Sequence, residues 1–113
     1  MKYMVMFTRA EWEDAAPPDE REKHYATIGE WWGQLASQGK IVEGYQLQPV
    51  NTATTIVLGD GESMIIDGPY MESKETIGGY GIFDVADLDE AIAIVRTFPS
   101  PGGRAEVRPV VQR

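Results

Sequence analysis

Lys2-Tyr3-Met4-Val5-Met6-Phe7-Thr8 decides the fold. The stretch alternates Tyr3, Val5 and Phe7 with Met4 and Met6, so both faces of a strand built from it are apolar. A strand of that kind is central and covered twice. Helices supply one cover, and the other is a second layer such as a second subunit.

Working outward, residues 10–16 read as a polar loop. Pro17-Pro18-Asp19-Glu20 then opens a helix, with proline and acids suited to its first turn. The helix runs to about Gln38 and stops at Gly39. Its apolar stripe is Tyr25, Ile28, Trp31 or Trp32, and Leu35. Ile41 to Leu47 reads as a strand. Thr54 to Leu58 and Ser63 to Asp67 flank Gly59-Asp60-Gly61-Glu62 as a hairpin. A loop from Gly68 to Ile77 precedes a strand over Gly79 to Val85.

Asp87-Leu88-Asp89-Glu90 starts the next helix, with Asp87 as cap and Glu90 at the capping-box position. Leu88, Ala91, Ile92, Val95 and Phe98 form its expected buried face, and Pro99 and Pro101 stop it. Residues 104–111 are a last strand, in which Pro109 marks a sheet edge or a bulge. The order β-α-β-β-β-β-α-β is an α+β, ferredoxin-like sandwich with two helices on one face of a mostly antiparallel sheet and an extra hairpin. The other sheet face is then bare and apolar, and pairing two such faces gives a homodimer around a barrel-like interior.

Composition bounds the function. The 113 residues carry 18 acids, 10 bases, one histidine and no cysteine, for a formal charge of −8. The length suits one domain, residues 1–113. Acidity is even: 9 acids and 5 bases in residues 1–60, and the same numbers in residues 61–113. No basic stripe exists for a phosphate backbone, which argues against nucleic acid, and acidic proteins are repelled by anionic membranes. The apolar N-terminal run is too short for a signal peptide, so a cytoplasmic location is expected. Without cysteine there is no disulfide, thiol nucleophile or iron–sulfur site, and a lone histidine excludes sites that need two imidazoles. Neither a metal nor a redox cofactor is indicated.

Two residues are candidates for proton transfer. His24 is the one side chain whose ordinary pKa lies near neutrality, although a half-packed structural histidine is the plainer reading. Asp67, in Asp67-Gly68-Pro69-Tyr70, leaves its strand at a turn, where it either shapes the turn or acts as a base at a cleft edge. Glu106 and Arg108 share a strand face, as a surface pair or as a grip on a polar ligand inside a barrel. Lys74, on the long loop with paired Gly78-Gly79, or Arg108 could hold an anionic group. Tyr45, Tyr80 and the two tryptophans Trp31 and Trp32 could line the pocket, although most aromatics in so small a domain are core.

Asp67-Gly68-Pro69-Tyr70-Met71-Glu72-Ser73-Lys74-Glu75 with Gly78-Gly79-Tyr80 resembles the signature of the DGPF group in the YCII-related superfamily. Met1-Lys2-Tyr3-Met4, Leu47-Gln48-Pro49, Thr52-Ala53-Thr54-Thr55, Asp87-Leu88-Asp89-Glu90-Ala91 and Glu106-Val107-Arg108-Pro109 match further stretches in order. The resemblance implies a dimeric α/β barrel, a pocket histidine–aspartate pair in part of the superfamily, and lyase-type action on ring metabolites for some members. Some DGPF relatives are encoded near alternative sigma factors. Two departures stand out: Tyr70 replaces the motif's Phe, and the family histidine position falls near Ile28, one turn after His24. The expected function is a dimeric module binding a small polar metabolite in its barrel. The alternative is a small lyase- or hydrolase-type enzyme using His24 or Asp67, and a third reading makes the loop a strap between subunits.

Overall fold

A computed structural model describes residues 1–61, 63–68 and 76–113. Lys74 and Tyr70, and most of the loop read between Gly68 and Ile77, lie outside the described residues. The elements are β1 (Lys2–Thr8), α1 (Trp12–Ala15), α2 (Pro18–Ser37), β2 (Ile41–Gln46), a 3-10 turn (Val50–Thr52), β3 (Thr54–Leu58), β4 (Ser63–Asp67), β5 (Ile77–Asp84), α3 (Leu88–Val95) and β6 (Ala105–Pro109). Four strands form one sheet in the order β2-β5-β1-β6, with every neighbouring pair antiparallel. This is the α+β ferredoxin-like arrangement. β1 is central as its two apolar faces require, and Pro109 sits on the edge strand, where a missing N–H costs least. β3 and β4 form a separate hairpin. One chain leaves the sheet open, with β2 and β6 as edges, and closes no barrel.

Pairing register explains which residues are buried. Tyr3, Val5 and Phe7 share a face with Phe83, and this face carries the core with Ile41, Val85 and Ala91. Both longer helices pack on it, α2 through Trp31, Trp32 and Leu35 and α3 through Ile94 and Val95. Phe83 and Val5 are fully buried, each removing apolar area worth about 1.5–3 kcal/mol from water. The opposite face carries Met4, Met6, Tyr80 and Ile82, flanked by Glu43, Tyr45, Glu106 and Arg108.

The helix ends follow the local chemistry. Pro18 opens α2. Gly39, at φ 74°, closes it: its N–H bonds to Ala36 O, and Lys40 N–H bonds to Leu35 O, the paired reverse bonds of a Schellman motif. Asp87 accepts from Glu90 N–H at 2.9 Å and caps α3. Glu90 reaches back to Ala86 N–H at 3.0 Å, one residue earlier than a regular capping box, and also accepts from Lys40 at 3.0 Å.

Three expectations need correction. Residues 10–16 contain a helical turn, α1, held by contacts that no apolar period announces: Glu13 accepts from Ala10 N–H, and the Trp12 indole donates to Ser100. The buried face of α3 is Ala91, Ile94, Val95 and Phe98, while Leu88 and Ile92 are exposed. The bond from Lys40 to Glu90 ties the start of α3 to β2, and the two-turn helix presents Ile94 rather than Ile92 to the sheet. The strand expected at Gly79 starts two residues earlier, at Ile77.

Trp32 sets the spacing between α2 and the sheet. A methyl group on Gly81 would lie 2.6 Å from the Trp32 ring, and one on Gly44, its cross-strand partner, would overlap that ring and meet the Tyr80 carbonyl. Gly81→Ala is therefore expected to cost about 1–3 kcal/mol by overpacking, read as a lower melting temperature in calorimetry. Glu90 is held below the usual carboxylate range, first by the Ala86 N–H and then by Lys40. Its stabilising contribution is complete above the ordinary pKa of 4.5 and is lost as pH falls through the lowered folded value. Melting temperature measured from pH 7 to 3 should fall less steeply for Glu90→Gln than for the parent at the acid end.

Candidate functional site

The cavity that stands out lies between α2 and the sheet, with a volume of about 440 Å³. Its roof is one face of α2: Tyr25, Ile28, Gly29, Trp32 and Gly33, at spacings of 3, 4, 7 and 8 from the first. Its floor is backbone of Gly44 to Gln46 on β2 and of Gly78 to Tyr80 on β5. Trp12 and Glu13 on α1, with Phe98 and Ser100 beyond α3, close the ends.

Each wall has a local cause. Trp12 is fixed by its indole bond to Ser100 at 3.0 Å and by the His24 ring at 4.6 Å between centroids. Trp32 rests edge-on to Phe83 at 6.2 Å and is propped by Trp31 at 6.0 Å. Gly78 lets Arg9 backbone approach, since a methyl group there would stand 3.3 Å from it. The helix glycines differ. A methyl group on Gly29 or Gly33 would meet no atom within 4 Å, so neither glycine is required by packing.

The polar groups converge at α1. Glu13 Oε2 accepts from Ala10 N–H at 2.6 Å and Oε1 from the Tyr25 hydroxyl at 3.3 Å. Arg9 stands 4.0 Å from Glu13 but bonds directly to Asp14 at 2.9 Å. That bond lowers the Asp14 pKa and raises that of Arg9. Burial, reinforced by the Glu13 charge, pushes the Tyr25 phenol up, so it stays neutral and donating.

The residues singled out in the sequence fall in several places. Tyr45 and Tyr80 come together, their rings 6.2 Å apart, on strands that floor the cavity. Glu106 and Arg108 bond at 2.6 Å on the open sheet face, both exposed, an arrangement worth about 0–1 kcal/mol. His24 is half-buried behind Trp12, and Asp67 is exposed at the end of β4. Neither lines the cavity, and they form no hydrogen bond with each other. Among the described residues no group of three or more His, Cys, Asp or Glu could hold a metal ion, and no helix is long and apolar enough to cross a membrane.

Trp12, Glu13, Gly29 and Gly33 were not among the sequence candidates. The signal present in the sequence is the pair of glycines on the aromatic face of a long helix, where alanine would be favoured by about 1 kcal/mol each. Gly29→Ala and Gly33→Ala are accordingly expected to raise stability by about 0.5–1 kcal/mol each, measured by urea unfolding.

A 75-residue stretch, 64% of this chain, is 36% identical to a protein of Rhizobium meliloti (strain 1021) described as uncharacterized, and the match spans 60% of that relative's length. The family model described as the YCII-related domain matches residues 1–112. With its ferredoxin-like sheet and a match over nearly its whole length, the chain belongs to the YCII-related domain family.

Proposed function

We propose that this chain is a small-molecule-binding module whose ligand enters the cavity between α2 and the sheet. The observation that carries the proposal is the roof of that cavity. Two glycines interrupt the middle of a twenty-residue helix at positions where a side chain would meet only open space, and both face the cavity. Helical glycine lowers stability, and packing gives no compensation here. A ligand lying against the bare helix backbone does. Aromatic walls with a few convergent polar groups are the usual make-up of such sites. They narrow the expected polar metabolite to a flat ring compound with a polar edge, and they move the pocket from the barrel interior to the helix side of the sheet.

The module works as a homodimer of the DGPF group in this reading, and the resemblance of the stretch beginning at Asp67 to that group's signature supports the assignment. Support for the dimer comes from the open face with Met4, Met6, Tyr80 and Ile82, and from the hairpin. Leu58 is 86% exposed there, Ile65 68% and Met64 62%. A two-stranded hairpin is marginal alone in water, and apolar patches of this kind are covered in stable soluble proteins. The radius of gyration, 16.0 Å, exceeds the roughly 13 Å of a compact chain this long.

Indole serves as the probe for the cavity. It should raise the melting temperature with the logarithm of its concentration once above its dissociation constant, by about 10 °C at 100 times that constant. Gly33→Leu fills the open space under α2 and should weaken indole binding at least about tenfold while the melting temperature is kept or raised. Equal binding by parent and variant overturns the assignment of the cavity. Sedimentation at micromolar concentration should give twice the chain mass of 12.6 kDa, and a monomer removes the dimer.

A further inference from the structure

Glu13 is the one charged side chain lining the cavity among the described residues. Its side chain is only 12% exposed, which is unusual for a carboxylate and requires fixed partners. The partners are the Ala10 N–H on Oε2 and the Tyr25 hydroxyl on Oε1. A carboxylate offers about four acceptor sites, so these two bonds leave acceptor capacity on both oxygens. The nearest cation, Arg9, does not use it up. Its guanidinium makes its hydrogen bonds to Asp14, at 2.9 to 3.3 Å, and stands 4.0 Å from Glu13. The remaining polar lining groups (Thr8, Ser100, Gln46 and the Tyr25 hydroxyl) are neutral, and among the described residues no lysine or arginine lines the cavity.

A site with one half-used carboxylate among aromatic faces has a definite preference. We propose that Glu13 is the specificity-determining residue of the cavity, which takes a flat aromatic ring carrying a cationic or hydrogen-bond-donating nitrogen and disfavours the same ring carrying a carboxylate. This rests on the reading of the cavity as a ligand site and adds the chemical class. Trp12, Trp32 and Tyr25 contribute in the same direction, because their ring faces attract a cation as well as stacking on an arene. An anion would meet the Glu13 charge with no lysine or arginine among the described lining residues to offset the repulsion, Arg9 lying outside the lining and hydrogen-bonded to Asp14.

Three indoles of similar shape separate the possibilities. Isothermal titration of the parent protein should give tryptamine at least about tenfold tighter than indole-3-propionate, with indole between them. In Glu13→Gln, whose amide oxygen can still accept from Ala10 N–H while its NH2 donates to the Tyr25 hydroxyl, the amine-to-acid ratio should fall to within about twofold of one. Indole-3-propionate binding the parent as tightly as tryptamine overturns this inference alone. Absence of binding by all three overturns it together with the cavity assignment. If Glu13→Gln does not fold, the ratio in the parent decides the matter by itself.

Discussion

The structure depends on a tryptophan lying against bare backbone. Trp32 occupies the space above Gly44 and Gly81, where any side chain would collide with its ring. Glycine weakens a strand interior, so these positions on β2 and β5 are unfavourable in isolation. The close approach offsets that cost by burying part of the largest side chain against the sheet and by bringing it edge-on to Phe83. The same contact fixes how far α2 stands from the strands. Trp31 and Leu35 then reach the core, while Tyr25, Ile28 and Trp32 border the cavity.

The aromatic residues thus divide one helix into two functions. On the core side, Trp31 packs against Phe98 and Phe83 and is held by an indole bond to Thr97 at 2.7 Å. Toward the cavity, the helix presents glycine where it could present leucine. Glu13, carried by the short helix α1, and Tyr25, on the first turns of α2, meet in one hydrogen bond at the edge of that space. The sheet's other face is separate. Its methionines, tyrosines and the Glu106–Arg108 pair lie across the strands from the cavity roof, so association of two chains through that face would leave the helix side open to a ligand.

Much of the fold was legible because its signals are local and strong. The doubly apolar run from Lys2 to Thr8 implied a central strand, and Pro109 implied an edge. Gly39 gave the helix stop, and Asp87 gave the cap. The hairpin boundaries, Thr54 to Leu58 and Ser63 to Asp67, match because a glycine-rich turn separates two β-branched or apolar runs. The site was less legible. α1 exists through contacts of Trp12 and Glu13 with residues distant in the chain, and such contacts leave no periodic trace. Tyr25 and Ile28 looked like core, and the tryptophans could be read either way, because core and cavity walls use the same residue types. Asp67 and His24 attracted attention by their chemistry, which says nothing of where the chain carries them.

A crystal structure of the protein soaked with tryptamine tests the central claim most directly. The account predicts a ring in the open space beside Gly29 and Gly33, next to Trp32, with its nitrogen within hydrogen-bond distance of Glu13. A ring seated on the Met4 and Met6 face, or a nitrogen directed away from Glu13, contradicts it.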